Sequence, residues 1–204
     1  MNIGLYFGTY NPIHVGHLVI ANYIADYTEL DEVWMVVSPQ NPLKEKKSLL
    51  KDSHRLALVK EGVEGNSKLK ACDIEFKLPR PSYTTTTLAY LEEKHPEHTF
   101  SLIMGEDNLR TLHKWKNYEL ILEKYHIYIY PRALTIQEEK ESLERNLEVT
   151  EKYRKSSNIH FCDDAPVMKI SSSGIRKGIK EGKDVRYLLS DKVFKYLDEM
   201  NFYK

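Results

Sequence analysis

Net charge is what this chain most plainly lacks: thirty lysines and arginines balance thirty aspartates and glutamates. A general binder of nucleic acid or of anionic membrane carries a clear basic excess, so both partners are set aside and any phosphate site must be local. Long apolar runs are missing as well. No stretch approaches the roughly 20 residues that cross a bilayer. The opening MNIGLYFG has no basic segment followed by a long apolar one, so no signal peptide is expected and the chain reads as cytoplasmic. Cysteine is scarce. Cys72 and Cys162 are the only two, ninety positions apart, without the close spacing of a metal knuckle or a redox pair. Both lie in strand-like apolar runs and are expected as buried, reduced thiols. Internal repeats and low-complexity segments are absent, which excludes a solenoid array.

What is present is an ordinary globular composition, 41% hydrophobic and 29% charged over 204 residues. That length buries one α/β core, so a single domain over 1–204 is expected. Short apolar runs alternate with amphipathic ones. IGLYFG (3–8), EVWMVVS (32–38), KLKACDIEF (68–76), TFSLIMG (99–105), HIYIY (126–130) and NIHFCDD (158–164) read as strands. Helices are expected over 14–30, over 52–65 with Asp52 or Ser53 as cap, over 84–95, around 115–122 and from Ser172. Residues 135–157 are highly charged and read as a solvated excursion, and 170–204 as a C-terminal helical part. This alternation predicts a Rossmann-like, doubly wound parallel sheet with helices on both faces. Ligands in such sheets sit beyond the carboxyl ends of the strands, where the strand order reverses.

Two strand-to-helix junctions are prepared for anions. GTYNPIHVGH (8–17) leaves the first strand through a glycine turn and opens a helix with His14 and His17, about one turn apart. ISSSGIRK (170–177) offers serine hydroxyls at a helix start and Arg176 in its first turn. An exposed helix start presents unpaired N–H groups and the positive end of the dipole, and an arginine fork matches phosphate oxygens. Gly8 is expected to let the backbone approach a ligand. Each signal alone is common loop chemistry, and the two histidines could equally be solvated. No third ligand accompanies them at a metal-binding spacing. The other six, His54, His95, His98, His113, His126 and His160, receive no role.

Together the two junctions resemble the paired signatures of the nucleotidyltransferase superfamily, Thr-x-Asn/Asp-Pro-x-His-x-Gly-His and Ile-Ser-Ser-Thr/Ser-x-x-Arg. Within it the chain is most similar to the nicotinate-nucleotide adenylyltransferase family. RPSYTTTTL (80–88), GEDNL (105–109), KWKNYELIL (114–122) and SDKVFKYLDEMNFY (190–203) carry the narrower resemblance. The match runs from residue 3 to about 203 and is poorest over 135–157. Departures are Phe7-Gly8 for a pair of glycines, Asn11-Pro12 for Asp-Pro, Asn41-Pro42-Leu43-Lys44 for Pro-Pro-His-Lys, and Lys116 for an aromatic residue.

The resemblance implies transfer of AMP from ATP to nicotinate mononucleotide, releasing pyrophosphate, with Mg²⁺ carried on ATP and no protein metal cluster. It implies catalytic roles for His17, His14, Arg176 and Lys44. It sets Gly8, Thr9, Tyr10, Gly105, Asp107, Ser172, Ile175 and Lys46 against ATP. Thr84, Thr85, Trp115, Lys116 and Asn41 are set against the mononucleotide. Plainer readings stand beside these: Trp115 as a core aromatic, Asp107 as a helix cap, 84–87 as a capping run, and the lysines of 44–47 as a solvated loop. Rival activities are a pantetheine-phosphate adenylyltransferase, a cytidylyltransferase and a non-catalytic nucleotide-binding regulator. A homo-oligomer is compatible with the sequence.

Overall fold

The strand order decides where a ligand can sit. A computed structural model of the chain describes residues 1–39, 49–132 and 151–204. Within these, β1 (Asn2–Gly8), β2 (Glu32–Val37), β3 (Leu69–Cys72), β4 (Thr99–Gly105), β5 (Ile127–Tyr130) and β6 (Ile159–Phe161) form one sheet, ordered β3-β2-β1-β4-β5-β6. Every neighbouring pair is parallel. The chain winds outward from β1 in one direction and from β4 in the other, so the order reverses between them. Their carboxyl ends are Gly8 and Gly105, the two glycine positions singled out from sequence.

The helices cover both faces, as a parallel sheet requires. On one side lie α1 (Val15–Tyr27), α2 (Asp52–Val63) and two C-terminal helices, α6 (Ser172–Lys180) and α7 (Asp191–Glu199). On the other lie α3 (Thr84–Lys94), α4 (Glu106–Thr111) and α5 (Tyr118–Lys124). The alternation of side chains along a strand makes this division. In β1, Tyr6 joins the cluster of Ile20, Ile24, Leu58 and Val193, whereas Ile3 and Leu5 join Leu88, Leu91, Leu109 and Ile121. Fully burying each such aliphatic side chain contributes about 1.5–3 kcal/mol. Among the described residues no helix is long and apolar enough to cross a membrane.

Several boundaries differ from those read in sequence. The third strand stops at Cys72, and Ile74–Lys77 turns into a 3-10 helix that buries Glu75. The Glu75 Oε1 accepts a hydrogen bond from the Thr87 hydroxyl at 2.9 Å. Thr87 thus ties α3 to the sheet edge and is not part of a capping run; the cap of α3 is Tyr83. Helix α1 ends at Tyr27, three residues short of Leu30, where the Thr28 hydroxyl folds back onto the Ile24 carbonyl at 2.6 Å. The cap of α2 is Lys51, with Asp52 inside the first turn. Of the charged excursion, 135–150 lie outside the described residues; residues 151–154 are helical, and Arg154 holds Asp163 bidentately at 2.7 and 2.8 Å.

The cysteines are half-buried, less enclosed than expected, and both are free. Cys72 ends β3 and Cys162 follows β6, the two outermost strands. Five strand spacings, roughly 24 Å, separate them, far beyond disulfide reach.

Candidate active site

A cavity of about 400 Å³ opens beyond the carboxyl ends of β1 and β4, a volume ordinary for a small-molecule site. Both anion-ready junctions line it: Gly8, Thr9, His14 and His17 from one, Ser172, Ser173 and Arg176 from the other. They are bonded to each other. The Ser172 hydroxyl donates to the Pro12 carbonyl at 2.9 Å, and Arg176 Nη1 donates to the Asn11 carbonyl at 2.7 Å. The Ser171 side chain caps α6 by accepting the Gly174 N–H at 3.1 Å. A contact 165 residues apart in sequence therefore places guanidinium and imidazoles around one space.

The imidazoles are held rigidly. His14 is the N-cap of α1, and its ring stacks on that of His17 with centroids 3.8 Å apart at 24°. The His14 backbone N–H donates to His17 Nδ1 at 3.3 Å. Because Nδ1 accepts, the proton of the neutral His17 ring belongs on Nε2, the nitrogen across the ring from the backbone. The Tyr10 ring meets His17 edge-on at 5.1 Å. Gly16 is required here: a Cβ on it would lie 3.0 Å from both Cε1 and Nδ1 of His14.

His14 is 5% exposed, and its Nδ1 is buried without a well-formed hydrogen bond among the described residues. Burial, reinforced by the positive charge of Arg132, pulls its pKa from 6.5 down to about 4. Unfolding restores the ordinary value, so between pH 6.5 and about 4 the unfolded chain takes up a proton that the folded chain refuses. This contribution to stability is whole above pH 6.5 and is lost as pH falls towards 4, amounting to about 3 kcal/mol at the low end. Urea unfolding at pH 7 and pH 4.5 should show the acid loss, and His14→Asn should flatten that part of the slope. An unchanged slope would refute the assignment.

Some expected residues stand elsewhere or act differently. Gly8 is needed by the protein itself: a Cβ there would strike the Tyr10 ring at 2.8 Å, so the absent side chain makes room for an internal aromatic. Tyr10 borders the cavity but is 1% exposed, and its hydroxyl donates to the Tyr6 carbonyl; its ring supports His17. Ile175, also 1% exposed, turns into the core and does not line the cavity. Trp115 is half-buried; it packs on the core and also lines the cavity. Thr84 and Thr85 occupy the first turn of α3 and do not line the cavity. Exposed Lys116 places its Nζ 4.5 Å from the Tyr83 ring centroid, which draws the Trp115 loop to the start of α3. Asn41, Lys44 and Lys46 lie outside the described residues.

Gly105 caps α4, so Asp107 is not the cap; it sits in the first turn just behind the cavity wall. Its Oδ2 accepts a charged hydrogen bond from Arg132, while Oδ1 is buried without a hydrogen-bond partner among the described residues. Arg132 and Tyr130 line the cavity, and the Tyr6 hydroxyl donates to the Tyr130 hydroxyl at 2.9 Å. Burial pushes the Tyr6 and Tyr130 phenols upward, so both stay neutral donors.

Sequence reasoning missed Arg55, which is 0% exposed in α2. Its Nη1 donates to the carbonyls of Thr9 at 2.5 Å and Ser38 at 2.8 Å; Nε and Nη2 reach Leu50 and Pro39 at 3.1 and 3.2 Å. Asp52 balances its charge at 2.7 Å. The guanidinium thus binds together the exits of β1 and β2. It also missed Arg132, whose only sequence signal was its place just after the fifth strand.

Comparison with known proteins identifies the family and the fold. The cytidylyltransferase-like family model matches residues 5–178. A probable nicotinate-nucleotide adenylyltransferase of Flavobacterium johnsoniae is 56% identical over 204 residues, the whole of both chains. One of Bacteroides thetaiotaomicron is 42% identical over 200 residues, 98% of this chain and 92% of the other. In structure, the Plasmodium falciparum nicotinic acid mononucleotide adenylyltransferase complexed with NaAD superposes with a TM-score of 0.74 at 20% identity, covering 99% of this chain and 97% of that one, which supports the fold. The chain belongs to the nicotinate-nucleotide adenylyltransferase family, inside the cytidylyltransferase-like group.

Proposed function

We propose that the cavity joins MgATP to nicotinate mononucleotide, forming deamido-NAD and pyrophosphate. The observation that carries this reading is the convergence of His14, His17, Ser172 and Arg176 on one space. An oxygen of the mononucleotide 5′-phosphate attacks the α-phosphorus of ATP; the bond from that phosphorus to the β-bridging oxygen breaks, and pyrophosphate leaves with the electron pair. The attacking oxygen is already anionic at neutral pH, so no general base is needed. What the protein must supply is orientation and charge neutralisation, the two demands of phosphoryl-type transfer.

His17 donates from Nε2 to the α-phosphate as negative charge builds there. His14, stacked on it and lining the same cavity, orients the phosphates beside His17. Arg176 keeps one N–H on Asn11 and turns the rest of its fork to the departing phosphates. Thr9 and Ser172 line the same path. Asp107, just behind the wall, holds Arg132 in place and is assigned to the ribose end of the cavity. Trp115 stacks on the pyridine ring beside the start of α3. The described lining residues, none a carboxylate, would hold the phosphates, and Mg²⁺ would come with the triphosphate.

The test is pyrophosphate release from ATP with a panel of acceptors: nicotinate mononucleotide, nicotinamide mononucleotide, pantetheine phosphate and, with CTP, glycerol phosphate. Nicotinate mononucleotide should give the highest kcat/KM; a different winner overturns the reading, and nucleotide binding without turnover favours a regulator. In the same assay Trp115→Ala should raise the KM for the mononucleotide by roughly 10- to 100-fold, the scale of one lost stacking contact, with little change for ATP. Equal effects on the two substrates would assign Trp115 to packing.

A further inference from the structure

Far from the nucleotide cavity, the turn between α3 and β4 gathers two imidazoles and a carboxylate. We propose that His95, Glu97 and His98 bind a borderline divalent transition cation, with Zn²⁺ as the test ion. The backbone brings them together. The His95 N–H closes α3 on the Leu91 carbonyl at 2.8 Å, Pro96 turns the chain, and the His98 N–H returns to the His95 carbonyl at 3.0 Å. The two rings then lie parallel, 8° apart, with centroids at 5.7 Å.

The ligand atoms converge as a metal would need. Glu97 Oε1 is 3.4 Å from His95 Nδ1 and 3.4 Å from His98 Nε2, and the three atoms all lie within 4.8 Å of one another. Ligands bound to Zn²⁺ at about 2.0–2.1 Å in a tetrahedron stand about 3.3–3.4 Å apart, so two of the three edges already have that length. The plainer alternative is a pair of hydrogen-bonded ion pairs. At 3.4 Å both contacts are longer than well-formed hydrogen bonds, which close to about 2.7–3.2 Å, so the carboxylate sits between the rings without a close bond to either. Trp34 walls the cluster edge-on, 5.7 Å from His95 and 6.2 Å from His98, giving one dry side. Two imidazoles and one carboxylate suit Zn²⁺, Ni²⁺ or Cu²⁺ and reject Mg²⁺, which wants oxygen ligands. Strand β4 separates this turn from Gly105, so the site is roughly 20 Å from the phosphate cavity and independent of the reaction proposed there.

The cluster carries its own reporter, because Trp34 and Trp115 are the only tryptophans. In a Trp115→Phe chain without an affinity tag and stripped with chelator, Ni²⁺ or Cu²⁺ should quench the fluorescence of Trp34. Calorimetry on the full chain should count one Zn²⁺ with a micromolar Kd. Glu97→Gln should weaken binding at least tenfold and His95→Gln should abolish the quench, with melting curves in EDTA matching the parent to show that both variants fold. Unchanged affinity in both variants, binding only at millimolar Zn²⁺, or loss of binding in His160→Gln instead would overturn the proposal.

Discussion

Replacing His17 with alanine should lower kcat by roughly 100- to 1000-fold, the range found when one preorganised transition-state donor is deleted. The ring is locked on every side the structure describes: its Nδ1 takes the His14 N–H at 3.3 Å, its face lies on His14 at 3.8 Å, and its edge meets Tyr10 at 5.1 Å. That much fixation leaves little reorganisation for the moment of transfer, and a donor already in place is worth more than one that must be collected. Charge on the α-phosphate grows only as the new bond forms, so the loss should fall on kcat, with the dissociation constant of ATP within about tenfold of the parent. Single-turnover rates and nucleotide titration separate these quantities. A near-normal rate, or a loss in ATP affinity matching the loss in kcat, would show that His17 binds both states equally and has no special part in transfer.

The second large effect is on stability. Arg55→Ala should cost about 3–5 kcal/mol, because it strands the carbonyls of Thr9, Ser38, Pro39 and Leu50 and leaves Asp52 without its buried partner. For a chain of this length that corresponds to a fall in Tm of roughly 6–20 °C. Arg55→Lys should recover only part of it. Lysine keeps the charge but offers three donors from one nitrogen, whereas the guanidinium reaches carbonyls in several directions. Urea midpoints of the three proteins measure this directly. A loss below about 1 kcal/mol for the alanine variant would mean that water replaces the fork, and that the exits of β1 and β2 hold their shape unaided.

Why was one arginine legible in sequence and the other not? Arg176 stands in a serine-rich helix start that, taken together with the His14–His17 junction, could be read as an anion site. Arg55 sits in the ordinary amphipathic pattern DSHRLALVK, and its partners are backbone carbonyls scattered over some forty residues. Carbonyls leave no mark in a sequence. The same reason explains Gly8, whose missing side chain serves Tyr10 packing, a contact invisible until the turn is folded. The alternation of strands and helices was plain because parallel sheets are buried on both faces and write themselves as apolar runs. The third strand was read too long because Ile74 and Phe76 continue the apolar pattern past Asp73, although they belong to a 3-10 turn. The pairing of the two junctions was foreseeable from fold class, whereas the hydrogen bonds that weld them were not.

Those welds set an order of events during synthesis. The first turn of the chain gains its bonds to Ser172 and Arg176 only after most of the polypeptide has been made. A nascent chain emerging from the ribosome can pair its early strands, yet the cavity gains its second wall only once residues 172–176 have been made.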